Sequence, residues 1–246
     1  MSRLLKLLSL TVALAVLNLI TSSCASTNTG AQVRLINAIP DSPAVDVYVN
    51  GTKVFNDVPF GAAQPNTTPA QYQGAGTGNV AIQGFATGTT ANPISPEGSV
   101  TFTGSTQYTL IAVGLELNDS PPIVFADNNL VPVSNNLEIR IINVSPSSPV
   151  AGLDIYFVAP GTDITTFHPQ ITALGDGQAS PYLQLPFQST GYSIIFTANL
   201  SKIPLITQTS SAATGSITTM VVLDNPTQGG VLNGMSTTPL ILNDLN

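Results

Sequence analysis

The sequence predicts an all-β protein with two tandem β-sandwich domains behind an N-terminal signal peptide. Three observations lead to this prediction. Charged residues make up only 8% of the 246 residues, while 20 Gly and 19 Pro interrupt the chain at short intervals. Outside the N-terminus, no window of helical length carries an apolar stripe with a 3.6-residue period, and short alternating runs typical of strands dominate. The third observation is an internal repeat that covers the whole body of the chain.

Composition also excludes several classes of protein. The apolar fraction of 43% is enough to bury a core and excludes a disordered chain. Six Lys and Arg against 13 Asp and Glu give a net charge of −7, which excludes a nucleic-acid backbone as partner. A single Cys excludes an intrachain disulfide, and with a single His it excludes the common zinc sites.

Residues 1–23 read as a lipoprotein signal peptide. Arg3 and Lys6 precede an apolar stretch from Leu7 to Ile20, which is shorter than the roughly 20 residues that a membrane span requires. The following Thr-Ser-Ser-Cys24 resembles the lipobox of bacterial lipoproteins. The resemblance implies that the thiol of Cys24 is lipidated and that residues 24–31 form a tether. Ala25 in place of Asp implies an outer-membrane destination, and a plain secreted protein is the alternative.

The first element of the body recurs about 106 residues later. Residues 33–50 (VRLINAIPDSPAVDVYVN) match residues 139–158 (IRIINVSPSSPVAGLDIYFV), and residues 122–127 match residues 239–244. We therefore predict a first sandwich over residues 32–132 and a second over residues 136–246. The matched polar and aromatic pairs are Arg34 with Arg140, Asn37 with Asn143, Asp46 with Asp154, and Tyr48 with Tyr156.

Each copy contains about seven short strands by this pattern. The clearest signal is a hairpin in which Asn50-Gly51, a pair that favours a type I′ turn, joins Val45–Val49 to residues 52–55. We expect further strands at 32–37, 79–84, 99–104, 107–113 and 123–126, and in the second copy at 138–143, 153–158, 182–185, 192–197, 205–207, 217–223 and 240–242. We expect residues 59–78, 86–96 and 158–176 to form long surface loops.

Residues 33–51, together with Val58-Pro-Phe-Gly61, resemble the bacterial domain of unknown function 4397. The second copy is more divergent and has Leu174-Gly175 where the first has Phe60-Gly61. The resemblance implies two tandem extracytoplasmic, immunoglobulin-like antiparallel sandwiches. It carries no known catalytic residues.

Two recurring features have both a structural and a functional interpretation. We interpret Arg34 with Asp46, and Arg140 with Asp154, as ion pairs or turn hydrogen bonds between the first two strands of each copy; a ligand site is the alternative. Residues 37–43 and 143–149 are Pro-, Ser- and Asn-rich and predict rigid turns, with a recognition loop as the alternative.

Catalytic and metal motifs are weak in this sequence. No acidic residue lies in a calcium-loop pattern, no G-x-S-x-G is present, and His168, the single candidate base, lies in an expected loop. We therefore predict no metal, no cofactor and no enzymatic activity. The alternatives are an envelope hydrolase that uses Asp154 or Asp176, and a calcium site drawn from Asp46, Asp127, Asp154, Asp176 and Asp244.

Binding is the remaining class of function. We expect a non-catalytic lipoprotein of the cell envelope with a binding, adhesion or structural role at the outer membrane. Its expected partners are the membrane, reached through acyl chains on Cys24, and a protein that contacts residues 158–176; we expect no small-molecule substrate. Sugar binding is a weaker alternative because Trp is absent, although four tyrosines offer rings, namely Tyr72, Tyr108, Tyr182 and Tyr192.

Overall fold

The computed structural model describes residues 30–64, 72–91, 93–114, 120–226 and 233–244. The signal peptide, Cys24 and most of the tether lie outside the described residues. Within them the chain forms 18 β-strands, and none of these residues belongs to a helix that could cross a membrane.

The strands divide into a first half and a second half of nine strands each. In the first half, one sheet has the order β4-β1-β8-β9, with β5 also paired to β1, and the other has the order β3-β2-β6-β7. The strands are β1 (Ala31–Asn37), β2 (Val45–Val49), β3 (Thr52–Val58), β4 (Ala63–Gln64), β5 (Gln73–Gly76), β6 (Gly78–Ala86), β7 (Pro93–Phe102), β8 (Gln107–Ala112) and β9 (Ile123–Ala126).

The second half repeats this topology. One sheet has the order β13-β10-β17-β18, with β14 also paired to β10, and the other has the order β12-β11-β15-β16. The strands are β10 (Asn136–Asn143), β11 (Leu153–Val158), β12 (Ile171–Leu174), β13 (Gln178–Ala179), β14 (Leu183–Pro186), β15 (Tyr192–Ala198), β16 (Pro204–Ser210), β17 (Ile217–Val222) and β18 (Leu240–Asn243).

Each half is a sandwich whose two sheets share one apolar core. In the first half, Leu35 of β1 and Leu110 of β8 pack in the same cluster as Phe55 and Ile82 of the facing sheet. In the second half, β10, β11, β15 and β17 contribute to an equivalent cluster. The predicted all-β architecture of two sandwiches is confirmed. The structure adds one parallel pair to each otherwise antiparallel half, β1 with β8 and β10 with β17.

The strands of these parallel pairs are buried on both faces. Alternate residues of β1 and β10 point into their own sandwich, while the residues between them face the other half. Ile36, Ile111, Ile142 and Val221 meet in one apolar cluster that joins the halves. The molecule is therefore a stack of four sheets, with one core inside each half and a third cluster between them.

The predicted hairpin is confirmed, because β2 pairs with β3 and both turn residues have positive φ, 48° at Asn50 and 74° at Gly51. The prediction of long surface loops is wrong in part. Residues 59–78 include β4 and β5, residues 86–96 include the start of β7, and residues 158–176 include β12. β4 and β5 were missed because they are short and consist of Gln, Gly and Ala, and pairing with β1 supplies the order that their sequences do not signal. β12 has only four residues and is ordered by pairing with β11.

Candidate functional site

A network of buried charges joins the two halves. Arg34 extends from the face of β1 that meets the other half, and only 2% of its surface is exposed. Its Nη2 lies 2.5 Å from Oδ1 of Asp244 in the second half. The same guanidinium donates from Nε to Oγ1 of Thr109 (2.8 Å) and from Nη1 to the carbonyl oxygen of Asn243 (3.2 Å). All three guanidinium nitrogens of Arg34 therefore donate hydrogen bonds.

Arg140 makes the reciprocal contacts. Its Nη2 lies 2.5 Å from Oδ1 of Asp127 in the first half, its Nε donates to Oγ1 of Thr219 (3.1 Å), and its Nη1 donates to the carbonyl oxygen of Ala126 (3.0 Å). Longer contacts link the two pairs, 3.5 Å between Arg34 and Asp127 and 4.0 Å between Arg140 and Asp244. The four charges are therefore related by a pseudo-two-fold axis between the halves.

Two tyrosines complete the network. The hydroxyl of Tyr72 donates to Oδ2 of Asp127 (2.8 Å) and that of Tyr182 donates to Oδ2 of Asp244 (2.7 Å). Each ring also lies against an arginine, at 5.3 Å for Arg34 on Tyr72 and 4.6 Å for Arg140 on Tyr182. Burial, helped by the nearby carboxylates, raises the pKa of both tyrosines, so they remain hydrogen-bond donors.

The carboxylates also determine the charge state of the network. Burial alone would lower the pKa of Arg34, but Asp244 and Asp127 outweigh it, and the net effect raises that pKa. Arg34 is therefore a permanent cation between two aspartates. Such an arrangement of a buried cation and two carboxylates holds the two halves together.

The predicted pairing of Arg34 with Asp46, and of Arg140 with Asp154, is wrong. The connection after β1 crosses to the other sheet, so β1 and β2 are not paired and their charges cannot face each other. Asp46 instead binds Nζ of Lys53 (2.6 Å) and accepts from the backbone nitrogen of Asp57 (2.9 Å).

Asp154 has an equivalent structural role in the second half. It accepts from the backbone nitrogens of Ala173 (3.0 Å) and Leu200 (2.9 Å) and from the amide of Asn199 (2.9 Å). Burial would raise the pKa of Asp154, but these donors outweigh it and hold the pKa below its usual value. Both aspartates therefore order the loops at the ends of their sheets.

The two repeated turns after β1 and β10 are rigid for the reason that the sequence indicates. The Oδ1 of Asn37 accepts from the backbone nitrogen of Ile39 (3.1 Å), and its Nδ2 donates to the carbonyl oxygen of Val58 (3.0 Å). Asn143 makes the same two kinds of bond, to Ser145 (3.2 Å) and Leu174 (3.2 Å). Both asparagines are fully buried, so their side chains replace backbone partners within each turn.

The other candidate chemical groups are dispersed. Asp176 is exposed, and partial desolvation of its carboxyl, followed by the charge of Asp224, raises its pKa. His168 is exposed. Among the described residues, no three His, Cys, Asp or Glu side chains lie close enough together to hold a metal ion.

The four tyrosines considered for sugar binding are engaged elsewhere. Tyr72 and Tyr182 belong to the charge network described above. The hydroxyl of Tyr108 accepts from the backbone nitrogen of Thr103 (3.0 Å), and that of Tyr192 donates to the carbonyl oxygen of Pro186 (2.7 Å). Both of these rings pack in the cores of their halves.

A different tyrosine lines an open cleft on the first half. Tyr48 meets Phe85 edge-to-face on the outer surface of the β3-β2-β6-β7 sheet, with ring centroids 5.3 Å apart. The cleft has a volume of about 250 Å³, and Gln83, Thr90 and Glu97 supply polar groups around the rings. No motif in the sequence marks this cleft, although Tyr48 is repeated as Tyr156 in the second half.

Residues 31–156 match the family described as "Domain of unknown function (DUF4397)". The chain belongs to this family. The match covers the whole first half and extends through β10 into β11 of the second. It places the chain in the DUF4397 family without assigning an activity to any residue.

Other comparisons add little to the family assignment. No curated protein matches the chain. Among solved structures, a Bacteroides fragilis protein with a suggested role in cell adhesion is similar over 86% of this chain and 97% of its own, with 11% identity and a TM-score of 0.19.

Proposed function

We propose that this DUF4397 protein is a non-catalytic lipoprotein of the cell envelope that acts as a binding, adhesion or structural module. The observation that carries the proposal is the charge network between the halves. Its four buried charges are bound to one another and to neighbouring protein groups, namely Arg34, Arg140, Asp127 and Asp244. They fix the two sandwiches as one rigid unit.

A rigid pair of sandwiches suits recognition better than turnover. Asp154, one of the aspartates considered for hydrolysis, accepts hydrogen bonds from three donors of neighbouring loops, which hold it in a structural role. Rigid scaffolds that display loops and sheet faces are typical binding modules. We also propose that the second half is a divergent DUF4397 copy, because it repeats both the topology and the Arg–Asp contacts of the first.

The proposed anchor is a lipid on Cys24, with the outer membrane as destination. The support is the sequence pattern of residues 1–24 and the net charge of −7, which disfavours direct contact between the protein body and anionic lipid. The test compares wild type with Cys24→Ser in detergent phase partitioning and in membrane fractionation. We expect wild type in the detergent phase and the outer-membrane fraction, and Cys24→Ser in the aqueous phase. Equal partitioning of the two proteins would contradict the anchor.

Binding is tested separately from anchoring. We expect the purified mature chain to capture an envelope component in a pull-down and to be inactive against a panel of ester, peptide and glycoside substrates. Asp176→Asn and Asp154→Asn serve as matched variants in the substrate panel. Turnover by wild type that either substitution abolishes would replace the binding proposal with the hydrolase alternative.

A further inference from the structure

The outer faces of the two outermost sheets are equivalent in position but are covered by the chain to different extents. Tyr48 on β2 and Tyr156 on β11 occupy matching positions in the repeat. Tyr48 pairs across the sheet with Gln83, and Tyr156 pairs with Ile195. The same site on the scaffold therefore carries an amide in the first half and an aliphatic side chain in the second.

In the second half this face is covered by the chain itself. Ile164, from the long connection between β11 and β12, is buried in a cluster with Tyr156, Val158 and Ile195. Lys202 adds a second cover, since its Nζ donates to the hydroxyl of Tyr156 (3.1 Å) and to the carbonyl oxygen of Phe167 and lies over the tyrosine ring. Tyr156 is consequently only 1% exposed.

In the first half the corresponding connection is the two-residue turn Asn50-Gly51, which is too short to fold back over the sheet. The face of Tyr48 and Phe85 is left as the cleft of about 250 Å³. Where the covered face has Ile195, the open face has Gln83, so an amide replaces an aliphatic side chain. A purely aliphatic occupant would leave this amide without a partner.

The charges around the cleft also restrict the charge of the ligand that it can bind. The Nζ of Lys53 lies 5.7 Å from the centre of the Tyr48 ring and already occupies the position that a cationic ligand would seek. Glu97, an exposed carboxylate in the lining, disfavours an anionic ligand. Because Lys53 beside the ring is already paired with Asp46 (2.6 Å) and Glu97 lies in the lining, the cleft favours a ligand that is polar and uncharged.

We propose that the Tyr48 cleft binds one neutral sugar ring of a glycan. The apolar C–H face of a pyranose matches an aromatic floor, and its hydroxyls match the amide of Gln83, the hydroxyl of Thr90 and the carboxylate of Glu97. The volume lies just below the range of roughly 300–1,000 Å³ of sites for drug-sized ligands, which suits a single ring. The inference rests on the proposed binding role and names its ligand class.

The test uses the mature full-length chain on an array of neutral glycans, with methyl mannoside, methyl galactoside and N-acetylglucosamine followed in solution by saturation-transfer NMR. We expect at least one of these sugars to bind. Gln83→Ile, which installs the residue of the covered face, and Tyr48→Leu, which removes the ring, should each weaken binding about tenfold. Thr101→Ala changes an exposed residue of β7, the strand that also carries Glu97, outside the cleft and should leave binding unchanged.

Three outcomes would overturn the sugar proposal. The first is no binding to any neutral glycan by a wild-type chain that still captures its envelope partner, which would leave the proposed function intact. The second is glycan binding that survives both Gln83→Ile and Tyr48→Leu. A lysine-rich peptide, included as a cationic probe, that binds in place of the sugars would also overturn it. Thermal melting of each variant shows whether a loss of binding reflects a loss of fold.

Discussion

Replacing Arg140 with Met gives the most direct test of how the halves are held together. The substitution removes the 2.5 Å ion pair with Asp127 and the donors to Thr219 and Ala126, while a side chain of similar length remains. Breaking a buried pair by removing one partner costs about 3–5 kcal/mol, because the remaining charge stays buried. Asp127 retains Tyr72 at 2.8 Å and Arg34 at 3.5 Å, so we expect the lower end, about 3 kcal/mol.

The assay is thermal and denaturant unfolding of the mature chain. For a protein of this size a loss of about 3 kcal/mol lowers Tm by about 6–12 °C. In the double variant Arg140→Met with Asp127→Asn, the loss should fall short of the sum of the single losses by about 1–3 kcal/mol, because the two residues share one interaction. Lys53→Met is the control: it also removes an ion pair to a buried aspartate, but Lys53 is 37% exposed and Asp46 keeps its other donors, so the Tm should change far less.

Two results would refute this reasoning. One is an Arg140→Met protein as stable as wild type. The other is strict additivity of the two single losses in the double variant, which would mean that Arg140 and Asp127 do not stabilise each other.

Three further predictions follow from the same structure. Arg34→Met should destabilise the protein about as much as Arg140→Met, since the contacts are related by symmetry; unequal Tm losses would contradict the pseudo-two-fold arrangement. Gly152→Ala should lower Tm well beyond Gly51→Ala, because both have positive φ but a Cβ at Gly152 would lie 2.5 Å from the carbonyl carbon of Ala173. The pKa of Asp154 is depressed in the fold, so its stabilisation is present above the ordinary value of 3.8 and is lost as pH falls through the folded pKa. Asp154→Asn should therefore lower the denaturant midpoint at pH 7 and make that midpoint fall less steeply below pH 3.8. A midpoint that falls below pH 3.8 as steeply as in wild type would contradict this.

The duplicated all-β architecture could be predicted from the sequence because the signals for it are local. Alternation, the Asn50-Gly51 turn and the repeated Pro- and Asn-rich turns each depend on neighbours within a few residues. The partners of Arg34 and Arg140 depend instead on which sheet each strand joins and on how the halves face each other. Asp244 lies 210 positions from Arg34, and no local pattern connects them. The repeated aspartate at the end of each copy was visible in the sequence, but its partner was not.

The open cleft was missed for a related reason. Its distinguishing feature is a cover that the second half has and the first lacks, and this depends on the path of a connection rather than on any motif. In the sequence, Tyr48 looks like an ordinary strand residue. Its difference from Tyr156 is visible only in the structure, where Tyr156 is buried with Ile164.

The crossed arginine–aspartate contacts have a consequence for the origin of the protein. Because each arginine meets the aspartate of the opposite half, the interface does not require both halves to belong to one polypeptide. An ancestor with a single sandwich would present the same arginine and aspartate to a second molecule, as a symmetric homodimer does. Gene fusion would then make the dimer permanent and allow the two outward surfaces, no longer encoded by the same codons, to evolve independently.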